Sequence, residues 1–176
     1  MPRLLGLVLA AEMAIGINPV FAAPAPSEEA LTVAFLFNFL KFAEWPAAAV
    51  TSGELTICYA DGTPFGQELE ALSGRPAQDK TVRIKRIDLS ESPRACHLLF
   101  IPREEKPIRI REWLKNTENL PILSVSNLSS FLDMGGMIAL VYDERLRFEV
   151  NLEPVRRVGL KLSSKMLALA RDVRGK

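Results

Sequence analysis

Histidine is nearly missing from this sequence. Its 176 residues contain one, His97, next to one of only two cysteines, Cys58 and Cys96. Metal sites need several His, Cys or carboxylate ligands at short spacing, and no such grouping occurs, so neither a metal nor a cofactor is expected. No Cys-x-x-Cys is present, which excludes a thioredoxin-like thiol exchanger. Neighbouring residues on a strand point to opposite faces, so Cys96 and His97 do not make a nucleophile and its base. The glycine patterns of nucleotide loops are also absent. "DGTPFG" at 61–66 stands after a strand and before a helix, where anions bind in doubly wound folds, but Pro64 removes a backbone donor and the stretch reads as a turn. A net charge of +1 gives no electrostatic case for nucleic acid. No internal repeat appears. These absences leave no enzyme.

What is present begins with an export pattern. Arg3 precedes the apolar run "LLGLVLA", and a small-residue site, "VFA", ends at Ala22. Glu12 interrupts the apolar stretch, yet the order of parts is that of a cleaved secretory signal, and the run is too short to cross a bilayer. The reading is a signal peptide over 1–22, a Pro/Ala leader over 23–27 and a single domain over 28–176. Export places Cys58 and Cys96 in an oxidising compartment. Either they are bridged, which is worth about 3–4 kcal/mol for a loop of this length, or they pack as two buried thiols; the reading prefers the bridge.

Ser27 is placed to cap a helix beginning at Glu28 and running toward Trp45, with Pro46 as its stop. "ELTICYA" reads as a buried strand, "QELEALSG" as a short helix ending at Gly74, and "KTVRIKRI" as an alternating strand with a slip at its end. "CHLLFI" and "PILSVS" are further strands, and "PIRIREWLKN" between them is a helix opened by Pro107. "LSSFLDM", capped by Ser126 or Asn127, reads as a helix stopped by Gly135. "MIALVY" and "RLRFEVNL" form a hairpin across Asp143 and Glu144. "EPVRRVG" is a turn of helix, and Ser163 caps a last helix, "SKMLALARDV". Strands separated by helices, then a hairpin, predict a three-layer α/β domain. Its mixed sheet should hold five or six strands, with helices on both faces and an antiparallel hairpin near the C-terminus.

One segment resists a bland reading. "AFLFNFLKFAEWP", 34–46, carries four phenylalanines, two leucines and a tryptophan, with Lys41 and Glu44 among them. Phe35, Phe39 and Phe42 share a face, while Leu36, Phe37 and Leu40 widen the apolar arc around most of the helix. Such a helix is buried on more than one side, either entirely within its own domain or partly against a second chain.

In order, "FNFLKFAEWP", "ICYADGTPFG", "ACHLLFIP", "PILSVSN", "GGMIALV", "RFEVNL" and "GLKLSSKMLALA" resemble the YfiR family of periplasmic regulators, from about Glu29 to Val173. The resemblance implies a homodimeric α/β protein of the periplasm that binds the periplasmic sensor domain of an inner-membrane diguanylate cyclase. By holding that cyclase inactive it would lower cyclic-di-GMP and restrain biofilm formation. An OmpA-like outer-membrane lipoprotein would sequester the repressor and free the cyclase. Cys58 and Cys96 fall on the family's first cysteine pair, which supports the bridge, whereas the second pair is absent here. A bridge needs Cα atoms within about 7 Å, so the two cysteine strands should be staggered or non-adjacent.

On this reading Trp45, with Phe35 or Phe37, contributes to a dimer or partner interface. The alternative is a ligand-sensing module serving a histidine kinase or a TonB-dependent transporter. Its anion or small aromatic ligand would lodge near Lys41, Trp45 and "DGTPFG".

Overall fold

The Ser27 hydroxyl accepts the Ala30 N–H at 3.1 Å and so starts α1, Glu28–Phe42. The computed structural model describes residues 25–175; the expected signal peptide lies outside the described residues. Thr32, Val33, Leu36, Phe39 and Leu40 form the buried stripe of α1, at the spacing that one helical face requires. The helix ends three residues short of Trp45. Ala43–Glu44 (β1) pairs instead with Lys161–Leu162 (β9), and the Gln78 amide donates to the Leu40, Lys41 and Ala43 carbonyls at 2.8, 3.1 and 2.6 Å. Gln78 thus satisfies carbonyls that a helix end leaves open.

The main sheet has eight strands where the sequence predicts five or six: six that it places and two short edge strands that it does not. β2 (Glu54–Ala60), β4 (Lys80–Ile87), β5 (Leu98–Ile101), β6 (Leu123–Ser126) and β7 (Ile138–Asp143) run parallel. β8 (Arg145–Asn151) returns antiparallel to β7. β3 (Pro76–Ala77) and β10 (Asp172–Arg174) complete the order β10-β8-β7-β6-β5-β2-β4-β3. The hairpin joining β7 to β8 turns on Glu144 at φ +48.

Side-chain alternation builds the two faces. Ile57, Phe100, Val125, Leu140 and Phe148 pack under α1 and the short α2, Gly66–Glu70. Cys58, Leu99, Ile101 and Ala139 pack under α3, Pro107–Thr117, through its Ile110 and Trp113. The slip at the end of "KTVRIKRI" has a simple cause. Val82 and Ile84 join the α1 side while Ile87, an odd step away, joins the α3 side.

Three further expected helices differ. α2 stops at Glu70, and residues 71–74, up to Gly74, are turns. "LSSFLDM" is a series of turns: the Ser126 hydroxyl takes the Leu128 N–H, and the Phe131 ring lies over Gly136, where an added Cβ would stand 2.2 Å away. α4 (Leu152–Arg157) forms as expected, but α5 stops at Ser164–Leu169. The remainder of "SKMLALARDV" is pulled onto the edge of β8 instead. There the Arg171 N–H donates to Phe148 O, and the Arg171 guanidinium pairs with Glu149. Strand pairing and a half-buried ion pair outweigh the apolar stripe.

Candidate functional site

Cys58 and Cys96 are bridged, with Cα atoms 5.6 Å apart, and both are buried. Their strands are adjacent: β2 and β5 pair with Cys58 opposite Leu99. The distance condition is met because Cys96 precedes β5. The 3-10 turn Pro93–Ala95 leads the chain over the α3 face, where Cys96 packs beside Cys58.

The next residue carries a second tie. His97 Nδ1 accepts the Thr56 N–H at 3.0 Å, and Nε2 lies 3.1 Å from Ala49 O. An acceptor at Nδ1 and a donor at Nε2 define a neutral imidazole. Burial pushes its pKa below the usual histidine value and the Lys80 charge adds to that, while the bond to Ala49 works in the opposite direction. The His97 carbonyl accepts the Trp45 indole N–H at 3.1 Å, and the two rings meet edge to face at 5.8 Å between centroids. Trp45 is half-buried, and one side chain therefore fastens the segment after α1 to the start of β5.

Phe35 and Phe37 leave α1 on opposite flanks. Phe35 is half-buried against Phe39 and Phe148, at 5.7 and 5.8 Å between centroids. Phe37 lies beneath two cations, Lys41 at 5.4 Å and Arg75 at 4.8 Å from its centroid. The structure thus joins Phe37 to Lys41, sets Phe35 beside β8, and holds Trp45 at the helix exit. The "DGTPFG" loop lies elsewhere, at the carboxyl end of β2, a seven-residue strand about 20 Å long. Lys41, Trp45 and that loop do not form one site. The loop instead borders a crevice with Glu28, Glu29, Thr32, Arg103 and Asn127. Strand order reverses here between β2 and β5, which is where open α/β sheets bind ligands. The crevice keeps only about 20 Å³, because the first turn of α1 fills it and Arg103 is paired with Glu28 at 3.0 Å.

Gln78 and His97 carry contacts that no local pattern signals: Gln78, in the turn between β3 and β4, and His97, just before β5, each bond backbone more than thirty residues away in the sequence. Arg145, Arg147 and Leu169, which the sequence places on a strand and a helix, gather at the open side of β8.

Comparison with known proteins follows the same lines. A family model described as YfiR/HmsC-like (DUF4154) matches residues 29–171. A solved conserved domain protein from Vibrio cholerae is similar in fold, with TM-score 0.59 and 9% identity over 84% of this chain and 60% of that one. An ABC domain from Streptococcus pneumonia, solved in complex with L-Trp, gives TM-score 0.51 and 12% identity over 80% and 60%. The chain therefore spans about 60% of the length of these two solved structures. No curated protein matches the sequence.

Proposed function

The chain belongs to the YfiR/HmsC-like family, and from that premise we propose that it is a periplasmic repressor that binds the sensor domain of an inner-membrane diguanylate cyclase. The family is one of periplasmic regulators in cyclic-di-GMP signalling, and the chain takes a regulatory rather than catalytic role with it. The observation that carries the proposal is the extent of the match: residues 29–171 contain both faces of the sheet, the disulfide and every candidate contact residue.

Repression of this kind is linkage. A protein that binds only the inactive conformation of the cyclase shifts its equilibrium by the difference in affinity and no further. A preference of ten-thousandfold, about 5.5 kcal/mol, takes a cyclase from nearly all active to nearly all inactive. Lower cyclic-di-GMP then restrains biofilm formation. Sequestration by an OmpA-like lipoprotein would release the cyclase, and a homodimer is the proposed acting form. Phe35, Phe37, Lys41 and Trp45 are the proposed contacts on α1. The Phe37 ring under two cations offers a mixed aromatic and basic surface of the sort that anchors protein partners. The ligand-sensing alternative is supported by the shared fold of the L-Trp-bound domain, and is weakened by the filled crevice at the strand-order reversal.

Deleting the gene tests the proposal. Cyclic-di-GMP and biofilm mass should both rise, and the exported chain should restore them. Unchanged levels in the deletion strain would remove the proposal.

A further inference from the structure

Resting on the reading of this chain as a protein-binding regulator, we propose that the open edge of β8 captures an extended acidic segment of a partner protein as an added strand. The segment would carry the pattern acidic, apolar, acidic.

The edge is defined by hydrogen bonding. Asn151 N–H donates inward to Met137 O, while Phe148 O accepts from Arg171 N–H on the outer side. Peptide groups alternate along a strand, so Leu146, two residues before Phe148, also points its N–H and C=O outward. β10 covers only Glu149–Asn151. Among the described residues, no strand pairs with the outer side of Arg145–Arg147. An added strand would find the Leu146 N–H and C=O waiting for it.

The side chains around that edge select the occupant. A groove of about 350 Å³ runs along it, lined by Phe35, Leu146, Phe148 and Leu169 on the α1 side. Leu169 is 78% exposed, the largest exposure of any big apolar residue described. Arg145 and Arg147 stand on the alternate positions of the strand. Neither pairs with a carboxylate among the described residues. Arg147 Nε is moreover buried without a hydrogen-bond partner, a cost that a bound acceptor would remove. Arg171 is already held by Glu149 and adds no free charge.

Residues directly opposite in a ladder share a face. The residue opposite Leu146 therefore enters the apolar groove, and its two neighbours meet Arg145 and Arg147. Two unpaired arginines favour carboxylates there. They disfavour a second copy of this edge, which would set arginine against arginine.

The probe is a fluorescein-labelled peptide, Ser-Glu-Leu-Glu-Leu-Glu-Ser, titrated with the purified protein and read by fluorescence polarisation. Saturable binding is expected, weakened several-fold between 50 and 300 mM salt as charge screening requires (both figures approximate). R145E/R147E should weaken it at least about tenfold, a loss typical of two charge-assisted contacts. The same peptide N-methylated at alternate amides should not bind, and that control leaves the protein's own fold untouched. No binding at millimolar protein, or equal binding of the Lys-substituted peptide or the N-methylated one, would overturn the proposal. So would a concentration-dependent dimer abolished by R145E/R147E, which assigns the edge to a second copy. Cyclase repression does not enter the readout, so the two proposals fail separately.

Discussion

Reducing the Cys58–Cys96 bridge should lower stability by about 4 kcal/mol. The cysteines are 38 positions apart, and the chain-entropy treatment gives that value for a loop of this size at 25 °C. Both cysteines are buried in the bridged protein, so reduction should expose little new surface and the change should isolate the cross-link. For a domain of this size each kcal/mol moves the midpoint by about 2–4 °C, so the expected fall is roughly 8–16 °C. Since ordinary domains are stable by about 5–15 kcal/mol, the loss removes between about a quarter and four fifths of that margin. Circular dichroism melts with and without reductant, with thiol titration of the denatured protein as a check on the redox state, measure the shift. C58A/C96A should fall at least as far, because it adds small cavities to the lost cross-link. A reduced protein that melts within about 2 °C of the oxidised one would refute the reasoning.

The remaining expectations follow from single contacts. His97 is neutral in the fold and its pKa lies below the unfolded value, so the unfolded chain binds its proton first. Stability should therefore be full above about pH 6.5 and decline as pH falls from there toward the folded pKa. Chemical denaturation of wild type against H97Q between pH 7 and 5 checks this, and the variant should be flatter. Gln78→Ala should cost about 1–2 kcal/mol by leaving the α1 carbonyls without their donor, and should speed amide exchange near residues 40–44. Gly136→Ala places a methyl 2.2 Å from the buried Phe131 ring and should cost about 2 kcal/mol or more in equilibrium unfolding. Trp45→Phe keeps most of the ring but loses the bond to His97 O, so it should cost about 1 kcal/mol in folding. Trp45→Ala should weaken association with the partner by more than it weakens folding.

The layers of this fold were legible because they obey short periods. The apolar run "ELTICYA" marks a strand covered on both faces and the alternation of "KTVRIKRI" and "RLRFEVN" marks which side faces the core, while the glycine and proline positions mark the turns. On α1, apolar around most of its circumference, the grouping of Phe35, Phe39 and Phe42 did not single out the buried side, since Phe42 is exposed and Leu36 and Leu40 are buried. Pairings between distant segments were not legible. Ala43–Glu44 leaves the helix because Lys161–Leu162 is there to pair with it, and Asp172–Arg174 leaves α5 because the β8 edge and Glu149 are there. Propensity carries a few tenths of a kcal/mol per residue, and a ladder with an ion pair exceeds it. The cysteine pair was visible as a pair. How it closes was not, since the turn that lifts Cys96 over the sheet is set by Pro93 and by His97 bonding to Thr56 and Ala49. Among the candidate contacts, the sequence grouped Lys41, Trp45 and "DGTPFG" by character, and the length of β2 keeps them apart.

Spheroplasts of a strain lacking this gene expose the periplasmic face of the inner membrane while keeping the cytoplasm sealed. Purified oxidised protein added outside them should lower internal cyclic-di-GMP within minutes, in proportion to occupancy. A level that stays constant at saturating protein, or that falls only when residues 23–176 are made inside the cell, would contradict the account.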